Sequence, residues 1–159
     1  MNVIAYSDHP SNNEARKLGV KFVDLDTLLK ESDVISLHVP LTSETEHMIG
    51  TKEFARMKKS AILINTARGK IVDEDALIIA LKNKQLGGAG LDVFEREPLP
   101  LNNPLLEFEN VALTPHVAFI SYESLDECTR VCVQNVEKFI EGKPQNVANP
   151  EVIAGSKLP

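Results

Sequence analysis

Four polar residues stand just past apolar runs of this 159-residue chain: Arg68 after Ala61-Ile62-Leu63-Ile64-Asn65, Asp92 and Glu97 after Gly88-Ala89-Gly90-Leu91, and His116 after Val111-Ala112-Leu113. A cation, carboxylates and an imidazole on one rim make chemical sense together. An arginine binds a carboxylate bidentately, a histidine gives or takes the proton on a neighbouring oxygen, and a carboxylate beside that histidine tunes its basicity. Taken singly, each has a plainer account: Arg68 capping or pairing at a helix start, His116 satisfied in a turn, Glu97 solvated in a loop. Their joint placement after three successive runs points to a site, with the substrate undecided.

The elements that must carry these residues follow from periodicity. Short Val- and Ile-rich runs alternate with helical stretches, the pattern of an α/β parallel sheet covered by helices on both faces. Strands are expected at Val3–Tyr6, Lys21–Val23, Val34–Leu37, Ala61–Asn65, Gly88–Asp92 and Val111–Leu113. The run before Arg68 reads as buried on both faces. Helices are expected at Asn12–Leu18, Leu25–Lys30, Glu44–Met48, Lys52–Met57, Glu74–Lys84 and Tyr122–Glu141. Ser43 and Glu46 have capping-box spacing, acids at 73–75 suit a helix N-terminus, and Gly19, Gly87 and Gly142 suit helix C-termini. Residues 95–110, with Pro98, Pro100 and Pro104, read as an ordered connection, and residues 144–159 as a poorly packed tail. In open parallel sheets, ligands bind beyond the carboxyl ends of the strands, where the four polar residues fall.

Bulk properties narrow the function. A net charge of -6 with 17 scattered Lys and Arg disfavours nucleic acid. The apolar runs fall far short of the roughly 20 residues of a membrane helix. The N-terminus does not read as a signal peptide, and two cysteines fit a cytoplasmic location. Leu125, Cys128, Cys132, Val136 and Phe139 share one helical stripe, expected to be core. Two thiols alone do not close a tetrahedral site, so no metal is expected. His38, at a strand end near the rim, reads as buried and hydrogen-bonded or as pocket-lining, and His47 as surface.

Four segments carry a more specific signal: Leu37-His38-Val39-Pro40-Leu41-Thr42, residues 65–73 (NTARGKIVD), residues 88–98 (GAGLDVFEREP), and Thr114-Pro115-His116-Val117-Ala118. They resemble the D-isomer-specific 2-hydroxyacid dehydrogenases, which reduce 2-oxo acids with a nicotinamide coenzyme, and the resemblance runs from Asn2 to about Pro150 over that family's coenzyme domain. It implies a Rossmann-like doubly wound sheet. It also implies that Arg68 holds the carboxylate and carbonyl of a small 2-oxo acid, that His116 donates the proton, and that Glu97 pairs with His116. Asp92 would face the nicotinamide; His38, Val39, Pro40 and Thr42 would lie along the coenzyme; Thr66 and Ala67 would present backbone near the nicotinamide ribose; and His116 would border the coenzyme. Ser7 stands where NAD-using members carry an acid, and Asp8 beside it would repel a 2′-phosphate, favouring NAD over NADP.

Two departures follow from the same resemblance. The family opens its coenzyme domain with a strand and a G-x-G-x-x-G turn, and no such motif occurs in these residues. The match starts one strand late, which implies that Met1 corresponds to an internal residue. The family's substrate domain has no counterpart, leaving residues 1–150 as a partial NAD-binding domain and 151–159 as a tail. In the order 3-2-1-4-5-6 the missing strand is central, which leaves a gap of about 9 to 10 Å. A homodimer exchanging elements, or a shift of the family's strands 2 and 3, the first two expected here, would fill it. Three readings stand: a dehydrogenase, a non-catalytic oligomerisation or interaction module derived from one, and a fragment of a longer frame. Residues 1–150 do not name the oxo acid; Phe119 hints at an apolar wall.

Overall fold

The computed structural model describes residues 1–152; the remainder of the expected tail lies outside the described residues. Strands β1 (Ile4–Ala5), β2 (Lys21–Phe22), β3 (Val34–Leu37), β4 (Ile62–Asn65), β5 (Gly88–Leu91) and β6 (Val111–Leu113) alternate with helices α1 (Asn12–Leu18), α2 (Leu25–Glu31), α3 (Thr51–Phe54) and α4 (Glu74–Lys82), and α5 (Tyr122–Ile140) follows. The chain separates into two compact units, residues 1–118 and the segment from Phe119 onward.

In the first unit all described strand pairs are parallel, and they form two sheets, β1-β2 and β3-β4-β5-β6. No hydrogen-bonded ladder joins them among the described strands. β1 and β3 therefore each keep one unpaired edge, at the place where the resemblance lacks its central strand. Neither β1 nor β2 pairs with β3 among the described strands, so a shift of the first two strands that closes the break is not seen.

Coverage of the four-stranded sheet differs from expectation. Its strand order follows chain order, and right-handed crossovers that always step the same way deposit their helices on one face. That face buries Ile35, Leu37, Leu63 and Leu91 against Leu29, Phe54 and Leu77. On the other face Val34 is 56% and Ile62 is 42% exposed, and the two are register partners. The run before Arg68 is thus buried on one face only, because the order reversal that winds helices onto both faces is not within this sheet.

Local signals were mostly realised. Asp24 caps α2 by accepting from Thr27 N at 2.7 Å, and Asp73 caps α4 by accepting from Ala76 N at 2.9 Å. Asp73→Ala is expected to cost about 1 kcal/mol, a fall of about 2 to 4 °C in the thermal midpoint followed by circular dichroism. Residues 43–47 form turns and not the expected helix. The Ser43–Glu46 box does not form, because the Thr45 hydroxyl accepts from Thr42 N and donates to Pro40 O, closing a tighter loop. Gly19 and Gly142 take the left-handed conformation expected of them, but after α4 that role falls to Lys84. Gly87 serves another need: a Cβ there would lie 2.6 Å from Ser60 O.

In the second unit, Ser121 and Ser124 cap α5 reciprocally, each side chain accepting the other's backbone N–H. The apolar stripe runs as the periodicity implies but is not core. Leu125, Val136 and Phe139 are exposed, and Cys128 and Cys132 are exposed free thiols. No residue of α5 is buried.

Candidate functional site

β6 ends at Leu113, Thr114 and Pro115 follow, and the chain turns sharply through His116, a non-glycine residue at φ 57°. Asp92 makes that turn possible. Directly after β5 and only 3% exposed, its carboxylate accepts from Thr114 Oγ1 at 2.6 Å, Val117 N at 2.8 Å and Ala118 N at 2.8 Å. Its carbonyl accepts from His116 N at 2.8 Å. Burial pushes the Asp92 carboxyl up, but those three donors, with the nearby His116, outweigh it and hold the group below the usual aspartate range.

The turn presents His116 Nδ1 to Glu97 Oε2 at 2.8 Å. Glu97 Oε1 accepts from Phe94 N at 3.1 Å, so both carboxylate oxygens are held. The His116 bond first, then the Phe94 N–H, lower the Glu97 carboxyl against a smaller opposing effect of burial, and the charges of His116 and Arg68 add to the fall. An ionised Glu97 accepts only, so His116 Nδ1 carries the hydrogen between them. Nε2 has no partner among the described residues. Phe94, Glu97, Pro98, Leu99 and residues 113–116 line a cavity of about 600 Å³.

Arg68 lies past β4, in a loop that Asn65 shapes. Asn65 is 1% exposed; its Oδ1 accepts from Ala67 N at 3.0 Å and its Nδ2 donates to Arg68 O at 2.9 Å. Arg68 donates from Nη1 to Ala67 O at 2.6 Å. Gly69 follows because nothing else fits: a Cβ would lie 2.0 Å from both Phe94 C and O. The Arg68 loop and the loop that carries Glu97 are thus in backbone contact. Gly69→Ala is expected to cost about 1 to 3 kcal/mol or more, measured by urea unfolding, since the obstacle is backbone and not a flexible side-chain end.

A second cavity, about 640 Å³, is lined by His38, Val39, Pro40, Leu41, Thr66, Ala67 and Arg68. His38 is exposed and bonded through Nε2 to Ser36 Oγ at 2.8 Å, so it lines a pocket and is not buried. Thr42 does not line this cavity; its hydroxyl accepts from Glu44 N at 3.2 Å. Ser7 and Asp8 follow β1, away from either lining, where Ser7 Oγ accepts from His9 N and Asp8 Oδ1 accepts from the Tyr6 hydroxyl at 2.6 Å. Sequence reasoning missed Asn65. Its signal was a polar residue closing a strand of aliphatics, two positions before the arginine.

The fold and the strand-end cluster define a Rossmann-like nucleotide-binding domain. Residues 1–118 match the family described as D-isomer specific 2-hydroxyacid dehydrogenase, NAD binding domain, and the chain belongs to that family. It is 48% identical over 154 residues, 96% of its length, to a glyoxylate reductase of Korarchaeum cryptofilum, covering 46% of that protein. It is 44% identical to glyoxylate/hydroxypyruvate reductase B of Escherichia coli, over 94% of this chain and 47% of that one. Among solved structures, D-lactate dehydrogenase with NAD+ from Lactobacillus jensenii superposes with a TM-score of 0.84 at 36% identity, over 91% of this chain and 47% of that one. The chain spans about half the length of the curated relatives it matches.

The residues present fit part of an NAD molecule. The mixed polar and apolar cavity at residues 38–41 and 66–68 suits a nicotinamide and its ribose. A glycine-rich turn opening a helix, which would cradle the pyrophosphate, does not occur among the described residues.

Proposed function

We propose that this chain is the coenzyme-side half of an NAD-dependent D-2-hydroxyacid dehydrogenase that reduces a small 2-oxo acid of the glyoxylate class. The single observation that carries the reading is the His116–Glu97 pair, which occupies Nδ1 and leaves Nε2 free to give a proton. A bound nicotinamide would supply the hydride in reduction and take it back in the reverse direction. Protonated His116 donates from Nε2 to the substrate oxygen as it gains charge, and Glu97 fixes the tautomer and steadies the imidazolium. Arg68 pairs its guanidinium with the substrate carboxylate. Asp92 builds the turn that carries His116, its carboxylate accepting from Thr114, Val117 and Ala118, and keeps its reading as the residue that faces the nicotinamide. The names of the curated relatives support the glyoxylate class, and Asp8 supports NAD over NADP.

The test is loss of NADH absorbance with glyoxylate and with bulkier 2-oxo acids. Turnover that saturates with glyoxylate supports the reading. Arg68→Lys is expected to raise KM for the oxo acid by about 10-fold or more, because an ammonium is a point charge and cannot replace the planar fork.

The unpaired edges of β1 and β3 favour a second reading, a non-catalytic oligomerisation module. No NADH binding at millimolar coenzyme would leave that one. Under either reading we propose a homodimer, for which a monomer by light scattering would be the contrary result. The two free thiols support a reducing compartment such as the cytoplasm.

A further inference from the structure

Beside the cavities lies a polar cluster whose own residues line neither of them. Glu95 and Glu74 exchange backbone bonds across 21 positions: Glu95 Oε1 accepts from Glu74 N at 3.1 Å, and Glu74 Oε2 accepts from Glu95 N at 3.3 Å. Glu74 N is an otherwise free donor at the first turn of α4, so the Glu95 carboxylate also meets the positive end of that helix. The remaining oxygen of Glu74, Oε1, accepts from Asn103 Nδ2 at 2.7 Å, and Asn103 Oδ1 accepts from Leu105 N at 2.9 Å.

His47 adds a third arm. Its ring Nε2 meets Glu95 Oε1 at 2.9 Å, while its backbone N–H donates to Lys70 O at 2.7 Å. Its φ of 53° is what lets one residue reach both. Lys70 is two residues past Arg68, and Glu95 is two residues before Glu97. His47, which lines neither cavity, therefore ties the arginine loop to the glutamate loop.

We propose that Glu95, Glu74 and His47 are positioning residues that set Glu97 against His116 and hold the Arg68 loop in step with them. They act through the 94–98 segment, whose Phe94 N–H already holds one Glu97 oxygen and whose backbone abuts Gly69. Free rotation of that segment would let the Glu97 carboxylate leave Nδ1 without breaking any strand. The proposal rests on the reading of Glu97 and His116 as the working pair, but its test needs no turnover.

The experiment is a pH titration of the Glu97 side-chain carboxyl carbon by NMR in the full chain. His116 and Arg68 are the charged groups that act on Glu97, and His116→Ala sets the scale of a lost partner. Glu95→Ala is expected to raise the Glu97 midpoint toward the ordinary glutamate range by at least half the rise seen in His116→Ala. Glu95→Gln should restore much of the wild-type value, because its amide oxygen still accepts from Glu74 N. Asp73→Ala, which weakens the same helix end without touching the loop, should leave the midpoint in place. If Glu95→Ala does not fold, His47→Asn keeps a side chain tolerant of positive φ, removes the ring bond, and should move the midpoint in the same direction. An unmoved midpoint in the folded Glu95 or His47 variant, or an equal move in Asp73→Ala, overturns the proposal. Absence of NADH turnover with these shifts intact would overturn the functional reading alone.

Discussion

His116→Ala is expected to lower 2-oxo acid reduction by about 100- to 10,000-fold and to change NADH affinity little. The magnitude is that of a general acid removed from its hydrogen-bond position, and the selectivity follows from location. His116 lies in the wall of the cavity shared with Glu97, Leu99 and Leu113, whereas residues 38–41 and 66–68 line the other. Fluorescence titration with NADH and steady-state kinetics with glyoxylate read the two quantities separately. Equal loss of coenzyme binding and turnover would mean that the residue holds coenzyme and does not move a proton. Glu97→Gln is the informative companion. Its amide retains an acceptor for Phe94 N or for His116, but it removes the charge that steadies an imidazolium. A fall in kcat with little change in KM is the expected result, because that charge matters most when the proton is about to leave.

Asp92→Ala is expected to destabilise the chain by about 2 to 4 kcal/mol, the cost of stripping charge-assisted bonds from three donors at once. It should also scatter the turn that carries His116, so stability and activity fall together. Asp92→Asn separates charge from shape, since the amide serves Thr114 and Val117 through its oxygen but sets an N–H against Ala118 N. The pH dependence gives an independent check. The Asp92 and Glu97 carboxyls lie lower in the folded chain than unfolded. Their stabilising contribution is therefore complete above the ordinary carboxylate pKa of about 4 and is lost as pH falls through the depressed folded values. Urea midpoints measured across the acid range should drop steeply for the wild type and more gently for Asp92→Asn.

The sequence revealed some features readily and others poorly. Strands β3 and β6 were read to the residue, because short aliphatic runs between turn signals have few alternatives. The acids at 73–75 marked the start of α4 by position alone, whereas the Asp24 cap of α2 went unread although it too acts within three residues. The turn at 43–47 was misread as helix because Thr45 competes for the local backbone, and a hydroxyl's choice between helix and turn depends on what the next loop offers. The open face of β4 was invisible for a different reason: an aliphatic run has the same composition whether one face or two are covered. At the site, residue types and strand ends were enough to group Arg68, Glu97 and His116. The part played by Asn65, and the donors gathered on Asp92, were not legible, since both depend on which N–H and hydroxyl groups a fold brings within reach.

The chain-ordered sheet also grades the site by local opening. β4 and β5, which lead into the Arg68 loop and into Asp92, are flanked on both sides, while β6 is a three-residue strand with a single neighbour. Amide exchange should be slowest at β4 and β5 and faster at β6, because an edge strand opens without disturbing its neighbours' ladder. The imidazole thus hangs from the element most readily released, and the four bonds to Asp92 are the clasp that keeps it closed.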